Sequence, residues 1–423
     1  MDIILKNANV AHRDEPVRNS DIAIKGDRIV AVEANIEAEA GQVIECGGRL
    51  VSGSLIDSHV HLDAVLAAGL ERDNESGTLH EGIEIWTDFK PKRTAEAIKE
   101  RARRAIDWEV AQGAGFIRTH ADVSDDEQLS TRALIELRDE LKDRVDIQIV
   151  AFPQLGIKSF PGGEAQMRAS LDMGADVVGG IPHNEVTREA GVASVMFIFD
   201  EAEKRGLMID VHCDEVDDSH ARFLEVMVEQ SFKRNMGAQV TASHCVAMHS
   251  YNNAYAYRLM GWIRRSGLNI TANPFDNIIL QAREDSYPKR RGMTRVKELL
   301  EAGINVGIGH DSIMDPWYPL GRGDMVEAAS LALHVCQMSG VKEIDTCFDM
   351  ITWRNAQNLG LQDYGVAPGA QADLVVFDAA SKADVLRINP ACTHVFKRGR
   401  LVAETKPAEN TVMGSAVNFT RGN

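Results

Sequence analysis

The sequence has no closely paired cysteines, no long apolar run and no recognisable secretory signal. Its 6 cysteines lie far apart without a C-x-x-C pair, which argues against a disulfide framework or a thiolate zinc site and indicates a reducing compartment. No stretch approaches the roughly 18 uninterrupted apolar residues that a membrane-spanning helix needs. The N-terminal segment lacks a basic region followed by an apolar core. We therefore expect a cytoplasmic globular protein without a membrane partner.

Basic residues are too few to balance the acidic ones, and the resulting negative charge limits which partners the protein can bind. The chain carries 46 Lys and Arg against 63 Asp and Glu, a formal net charge of −17. A surface of that sign repels phosphate backbones and anionic lipid, so binding to nucleic acid or to a membrane surface is disfavoured. Hydrophobic residues make up 44% of the chain and charged residues 26%, which excludes wholesale disorder.

Both ends of the chain alternate apolar and polar residues as short strands do. Residues 1–50 contain three such segments separated by Gly, Asp and Asn turn signals, and the pattern returns between residues 372 and 414. Because chain termini often lie close together, the two ends are predicted to form one small flanking β-sandwich domain from residues 1–52 and 365–423.

The middle of the chain, residues 53–364, has a different pattern of apolar and polar residues. Amphipathic helical stretches, among them 95–112, 127–144 and 217–234, separate eight apolar runs. Alternating apolar strands and helices over about 260 residues predict an α/β fold, a TIM-type (β/α)8 barrel. A doubly wound sheet is the alternative, but no G-x-G-x-x-G turn follows an early strand. The eight runs are 55–63, 115–123, 146–154, 175–183, 207–215, 239–245, 268–274 and 304–312.

Histidines and carboxylates gather where the predicted strands end, and these ends carry the chemistry in barrels of this type. His59 and His61 are two residues apart on the first strand, so their side chains point to the same side and can bind one ion. An H-x-H alone is a weak signal, and a lone strand-end histidine is more often a hydrogen-bonded core residue. Together with His212 on strand five and Asp311 on strand eight, the pair predicts a zinc or ferrous iron site.

Two further residues extend this prediction from metal binding to catalysis. Glu215 lies three residues beyond His212, past the strand end, where its carboxylate could shuttle protons over the pocket. His244, at the end of strand six, would contact a bound water. A metal ion brings the pKa of such a water down towards 7, which provides hydroxide at neutral pH.

Longer blocks of the chain carry a more specific signal than these single residues do. They are SGTLHEGIE (76–84), RTHADVSD (118–125), IVAFPQLGI (149–157), DVHCDEVDD (210–218), TASHCVAMHSYNNAY (241–255), YPKRRGMTRVKELLEAGINV (287–306) and GHDSIMDPWYPLG (309–321). These blocks resemble those of bacterial cytosine deaminases in the amidohydrolase superfamily. The H-V-H of strand one, the strand-five and strand-six histidines and the strand-eight aspartate resemble the mononuclear signature of that superfamily. The resemblance covers nearly the full length of the chain.

The resemblance implies a role for each matching residue. The family's ligands to one divalent ion fall on His59, His61, His212 and Asp311. Its proton-shuttling glutamate falls on Glu215, and the histidine that hydrogen-bonds the metal-activated hydroxide falls on His244. The glutamine that binds the amide edge of the pyrimidine falls on Gln154, and an aromatic residue near the ring falls on Phe152 or Trp317. The implied reaction is hydrolytic deamination of a free cytosine-like base at C4, giving a uracil-type product and ammonia.

One position departs from the family pattern. Members acting on cytosine commonly carry a second aspartate directly after the metal-binding one, whereas this chain has Ser312. The exchange removes a negative charge and frees space that could accept a C5 methyl group, worth about 1–3 kcal/mol for the larger ligand. Acceptance of 5-methylcytosine is one hypothesis, and the other is that Ser312 merely hydrogen-bonds a water.

Other functions stay open at this point. The superfamily could also act on another aminated ring, such as isoguanine, isocytosine, creatinine or an aminotriazine. Strand four ends in IPHNE (181–185) without the lysine that bridges two metals in binuclear members, which favours a single ion. A metal-binding barrel without catalysis would give no reason for Glu215. The sequence does not distinguish Zn²⁺ from Fe²⁺, and the resemblance implies a homo-oligomer that takes a small nucleobase.

Overall fold

The computed structural model describes residues 1–13 and 16–417 of the chain. The alternating N-terminal segments form five strands. β1 pairs with β2 and β2 with β3 in antiparallel fashion, while the two halves of β1 pair in parallel with β4 and β5. The strands are β1 (Ile3–Val10), β2 (Arg18–Lys25), β3 (Arg28–Glu33), β4 (Gln42–Glu45) and β5 (Leu50–Gly53).

The eight apolar runs form eight parallel strands in sequence order, each hydrogen-bonded to the next. The first and last strands meet where the amide of His61 donates to the carbonyl of Asp311 at 3.0 Å and the amide of Asp311 donates to the carbonyl of His59 at 2.7 Å. The predicted barrel is thus confirmed. Its strands are β6 (Leu55–Val60), β7 (Ala114–Asp122), β8 (Asp146–Phe152), β9 (Val177–Val178), β10 (Met208–Cys213), β11 (Val240–His244), β12 (Asn269–Ala272) and β13 (Val306–Ile308).

Helices follow the barrel strands and bury their apolar sides against them. The predicted stretches at 95–112 and 127–144 contain α2 and α3, but the prediction for 217–222 is wrong. There the helix begins only at Phe223, because the Asp214 carboxylate accepts the amides of Phe223 and Leu224 and caps the helix at that point. The helices are α1 (Leu79–Phe89), α2 (Ala95–Ala111), α3 (Leu129–Leu141), α4 (Gly163–Met173), α5 (Arg188–Arg205), α6 (Phe223–Arg234), α7 (Asn253–Ser266), α8 (Pro274–Leu280), α9 (Val296–Glu301), α10 (Met325–Val335), α11 (Val341–Met350) and α12 (Trp353–Asn358).

The C-terminal end of the chain returns to the N-terminal sheet. β14 pairs antiparallel with β5, so the two ends share one sheet of order β16-β15-β14-β5-β1-β2-β3, with a buried core of its own. Residues 418–423 of the predicted small domain lie outside the described residues, and its boundaries at 52 and 365 stay a prediction. The elements of this end are β14 (Leu374–Phe377), α13 (Lys382–Ile388), β15 (Cys392–Lys397), β16 (Arg400–Glu404) and the hairpin β17 (Asn410–Val412) and β18 (Ser415–Val417).

This architecture leaves the carboxyl ends of the barrel strands to form a pocket, and it surrounds the strands with a large apolar core. Among the described residues, no helix combines the length and the apolar character needed to cross a bilayer.

Candidate active site

The four predicted metal ligands converge at the carboxyl end of the barrel. His59 Nε2 lies 3.2 Å from His212 Nε2, and His61 Nε2 lies 3.1 Å from the same atom. Asp311 Oδ1 is 3.5 Å from Nε2 of both His59 and His61. All four residues are buried. Residues 250 positions apart in sequence thus present one set of nitrogen and oxygen donors to a common centre.

These donors fit a divalent metal ion. Four ligands at about 2.0–2.1 Å from one ion lie roughly 3.3 Å apart in a tetrahedron, which is the spacing that the distances above describe. Three imidazoles with one carboxylate are a donor set that suits zinc or ferrous iron. Nδ1 of His212 has no hydrogen-bond partner among the described residues, so only its Nε2 has polar neighbours, and these are the other donors.

The electrostatics of the cluster favour the forms that bind a cation. Burial, together with the neighbouring imidazoles, holds the pKa values of His59 and His212 well below the ordinary range, so these rings are neutral. Burial also lowers the pKa of His61, with a smaller contribution from His120. Burial and the nearby carboxyls of Asp276 and Glu215 raise the pKa of Asp311. A cation at the centre would offset this raise and favour the ionised carboxylate.

His244 lies closer to the ligands than the sequence suggested. Its Nδ1 is 3.8 Å from Asp311 Oδ2, and His244 offers a ligand atom to the same centre as His59, His212 and Asp311. The same Nδ1 lies 2.9 Å from the side-chain amide nitrogen of Asn277. The geometry therefore places His244 where it could contact either the ion or a water beside it.

Glu215 stands next to His244, with Oε1 at 3.4 Å from Nδ1. Its side chain is buried at the pocket wall, and burial raises the pKa of the carboxyl to about 8. A carboxyl group with a pKa near neutrality can both accept and donate a proton at physiological pH. This is the property required of a proton shuttle.

Two of these residues have left-handed backbone conformations. His244 has φ of 68° and Asp311 has φ of 73°, a region that residues other than glycine seldom adopt. Each stands where the chain leaves the barrel wall, His244 as the last residue of β11 and Asp311 three residues after β13. Such strain is characteristic of functional positions.

The predicted recognition residues line the same pocket, a cavity of about 340 Å³. The ring of Phe152 stacks on His212 with ring centroids 4.1 Å apart, and Trp317 lies 6.2 Å from the ring of His61. Gln154 and Ser312 complete this side of the lining. The structure therefore brings together every residue that the sequence singled out for the site.

Asp276 is a pocket residue that the sequence reasoning missed. The hydroxyl of Ser312 donates to Asp276 Oδ2 at 2.8 Å. Asp276 lies in the first turn of α8 and not at a strand end, where most of the predicted site residues lie. The signal that could have found it is a carboxylate three residues after a strand-end asparagine, Asn273.

Two other histidines at strand ends lie beside this group. His120 joins His59 and His61 in a second set of donor atoms close enough to hold an ion. His310 points away from the centre, because its Nδ1 lies 2.9 Å from the Ser312 carbonyl and its Nε2 accepts the amide of Gly323 at 3.2 Å.

Comparison with known proteins agrees with this geometry. A crystal structure of 5-methylcytosine deaminase from Klebsiella pneumoniae with 5-fluorocytosine superposes with a TM-score of 0.93 at 42% identity, covering 97% of this chain and 99% of that one. N-isopropylammelide isopropyl amidohydrolase of Pseudomonas sp. (strain ADP) is 30% identical over 95% of this chain and 97% of its own length. Pterin deaminase of Rhizobium rhizogenes is 26% identical, covering 85% of this chain and 82% of its own length. Residues 42–403 match the amidohydrolase family, and the chain belongs to that family.

Proposed function

We propose that this protein is a metal-dependent deaminase of a free aminopyrimidine, 5-methylcytosine, cytosine or both. The observation that carries the proposal is the convergence, in one small cavity, of four metal-type donors, the buried carboxyl of Glu215 and the amide of Gln154. The similarity to a 5-methylcytosine deaminase over nearly the whole chain supports the choice of ring. The products would be thymine or uracil and ammonia.

The chain's own residues account for the proton movements. A divalent ion held by His59, His61, His212 and Asp311 would polarise a water molecule and lower its pKa. Glu215 takes a proton from that water and delivers it to ring N3, which neutralises the charge that develops as the water oxygen adds to C4. Glu215 then carries the remaining proton of the added oxygen to the exocyclic amine, the C4–N bond breaks, and ammonia leaves as C4 becomes a carbonyl. His244, held by Asn277, hydrogen-bonds the attacking water.

Recognition of the ring is assigned to other residues of the same pocket lining. The side-chain amide of Gln154 carries both a donor and an acceptor, which match the carbonyl and N–H of the pyrimidine amide edge. A ring without that edge would leave these buried polar atoms unpaired, which costs about 1–3 kcal/mol. Phe152 and Trp317 supply apolar surface for the ring faces.

Ser312 supports acceptance of a C5 methyl group. It is buried in the lining, and its hydroxyl is engaged with Asp276, so no charged group projects from position 312 itself. A pocket with space for one more carbon gains about 1–3 kcal/mol for the methylated ring. Steady-state kinetics with both bases test this, and a kcat/KM for 5-methylcytosine a hundredfold below that for cytosine would overturn it.

A second candidate is deamination of another aminated ring. The relatives named for N-isopropylammelide and pterin favour it, because they match most of this chain. A panel measuring ammonia release from cytosine, 5-methylcytosine, isocytosine, isoguanine, creatinine and aminotriazines separates the two. Activity confined to the last four would replace our first proposal, and rings without an exocyclic amine are expected to be inert.

We also propose which metal ion the protein holds, where it is located, and how it assembles. The resident ion is Zn²⁺ or Fe²⁺, one for each subunit, because the donor set suits both. We place the protein in the cytoplasm as a homo-oligomer that acts in pyrimidine salvage and binds neither nucleic acid nor membranes. Elemental analysis of the purified protein identifies the ion, and analytical ultracentrifugation gives the oligomeric state.

A further inference from the structure

A buried polar network lies directly beneath the metal-type donors. Nδ1 of His59 is 3.1 Å from the hydroxyl of Ser243, and that hydroxyl donates to Asp210 Oδ1 at 2.6 Å. The other oxygen of Asp210 accepts from Arg118 Nη1 at 3.0 Å. These four residues are fully buried. A row of polar and charged groups thus runs from the donor cluster into the barrel interior, where burial is costly unless every group is paired.

The strand period explains how the network is built. Arg118 lies two residues before His120, and Asp210 two residues before His212, so each pair points into the barrel from the same strand. In the register of the parallel sheet, Ser243 is the partner of His212 on the neighbouring strand. The upper layer therefore carries the metal-type donors, and the layer below carries the ion pair that supports them.

The direction of each hydrogen bond follows from the donors available. The Arg118 guanidinium can only donate, so the Asp210 carboxylate that faces it acts as the acceptor. A serine hydroxyl has one hydrogen, and Ser243 donates it to Asp210. Towards His59 the Ser243 oxygen can then only accept, so Nδ1 of His59 must carry the proton. The lone pair of that ring is left on Nε2, the atom that faces His212 and Asp311.

We propose that Ser243 is a positioning residue that, backed by Asp210 and Arg118, fixes the tautomer and the ring orientation of His59 for metal binding. The proposal rests on the metal site of the proposed function. A ligating histidine usually donates its other ring nitrogen to such a partner, and loss of that partner typically costs about 10- to 100-fold in metal affinity. Among the other histidine ligands of the proposed site, His212 lacks such a partner, because its Nδ1 has no hydrogen bond among the described residues.

The test is the affinity for Zn²⁺ alone, measured by dialysing the metal-loaded protein against buffers of fixed free Zn²⁺ and analysing the metal retained. The variant Ser243→Ala should bind about 10- to 100-fold more weakly. Ser243→Thr keeps the hydroxyl and should stay within about threefold of the wild type by the same reasoning. The matched control is Ser194→Ala, since Ser194 is equally buried but its hydroxyl has no hydrogen-bond partner among the described residues.

The outcomes separate the positioning role from the alternatives. An unchanged affinity in Ser243→Ala, with a lower melting temperature of the metal-free protein, would show that Ser243 serves stability alone and would overturn the proposal. Should Ser243→Ala not fold, Ser243→Cys keeps nearly the same volume, and it should weaken binding if the hydroxyl is what matters. Wild-type protein that retains no ion would instead refute the metal site, and with it the proposed function.

Discussion

The most informative single position in the pocket is Ser312, because the choice between cytosine and its methylated form is assigned to it. Its side chain is 1% exposed and its hydroxyl is 2.8 Å from Asp276 Oδ2, so a longer side chain there has to extend into the cavity. Ser312→Asp adds a carboxylate where we expect the C5 methyl group to lie. Excluding one methyl group from a fitted pocket costs about 1–3 kcal/mol, which corresponds to roughly a 5- to 150-fold change in kcat/KM.

The assay compares kcat/KM for 5-methylcytosine with kcat/KM for cytosine in the same preparation, by following ammonia release. In Ser312→Asp this ratio should fall by about 5- to 150-fold. Because the new carboxylate would face the buried carboxyl of Asp276, charge repulsion could also act. Ser312→Asn separates the two effects, since it fills the same volume without the charge, and it should lower the ratio by a similar factor.

The third variant, Ser312→Ala, keeps the space and removes only the hydrogen bond to Asp276. We expect a ratio within about threefold of the wild type, and a less stable protein, because a buried acceptor that loses its donor costs about 1–3 kcal/mol. If Asp and Asn both leave the ratio unchanged, the C5 edge does not lie at position 312. The volume argument would then be refuted, while the deaminase proposal would stand.

Three further predictions concern the metal site, the proton shuttle and a buried ion pair. Glu215→Gln should lower kcat by about 10²- to 10⁴-fold with full metal content, and equal activity at full occupancy would contradict its role. Asp311→Ala should lose bound metal and turnover together, as elemental analysis and kinetics will show; retained metal would contradict it. Lys90 lies 2.5 Å from the buried Asp122. Burial raises the pKa of Asp122, but Lys90, with Ser124 and Arg93, outweighs burial and lowers that pKa to about 2. Lys90→Met should destabilise the fold by about 3–5 kcal/mol in denaturant titrations at pH 7, and a shift below about 1 kcal/mol would refute the pairing.

The sequence predicts the barrel well because its signals are local. Each strand is an apolar run with polar residues at its end, so the positions of His59 and His212 at strand ends could be read directly. Helix ends are less predictable, as the start of α6 shows. The residues before Phe223 have a helical pattern, but the helix begins where the distant carboxylate of Asp214 satisfies its first amides.

Residues that act through a partner far along the chain were missed. Asp276 lines the pocket from α8 and accepts a hydrogen bond from Ser312, 36 residues later. Asp210 and Ser243 did leave a trace in the sequence, as polar residues inside otherwise apolar strands, and a buried polar side chain there requires a partner. The identity of that partner depends on the register between strands, which a single sequence does not contain.

The distribution of charge in the pocket connects the metal to the acid–base chemistry. Asp311, Glu215 and Asp276 are all buried at one end of the barrel, and burial raises the pKa of each carboxyl. Glu215 and Asp276 raise the pKa of Asp311 further. The imidazoles around them are neutral, so the described side chains supply no cation at the centre to offset this. A divalent ion would favour ionised Asp311 most, because Asp311 is itself one of the donors. Glu215 contacts the donor group through His244 and would be affected less. The same ion that polarises the water would in this way divide the carboxyls into one ligand and one proton carrier.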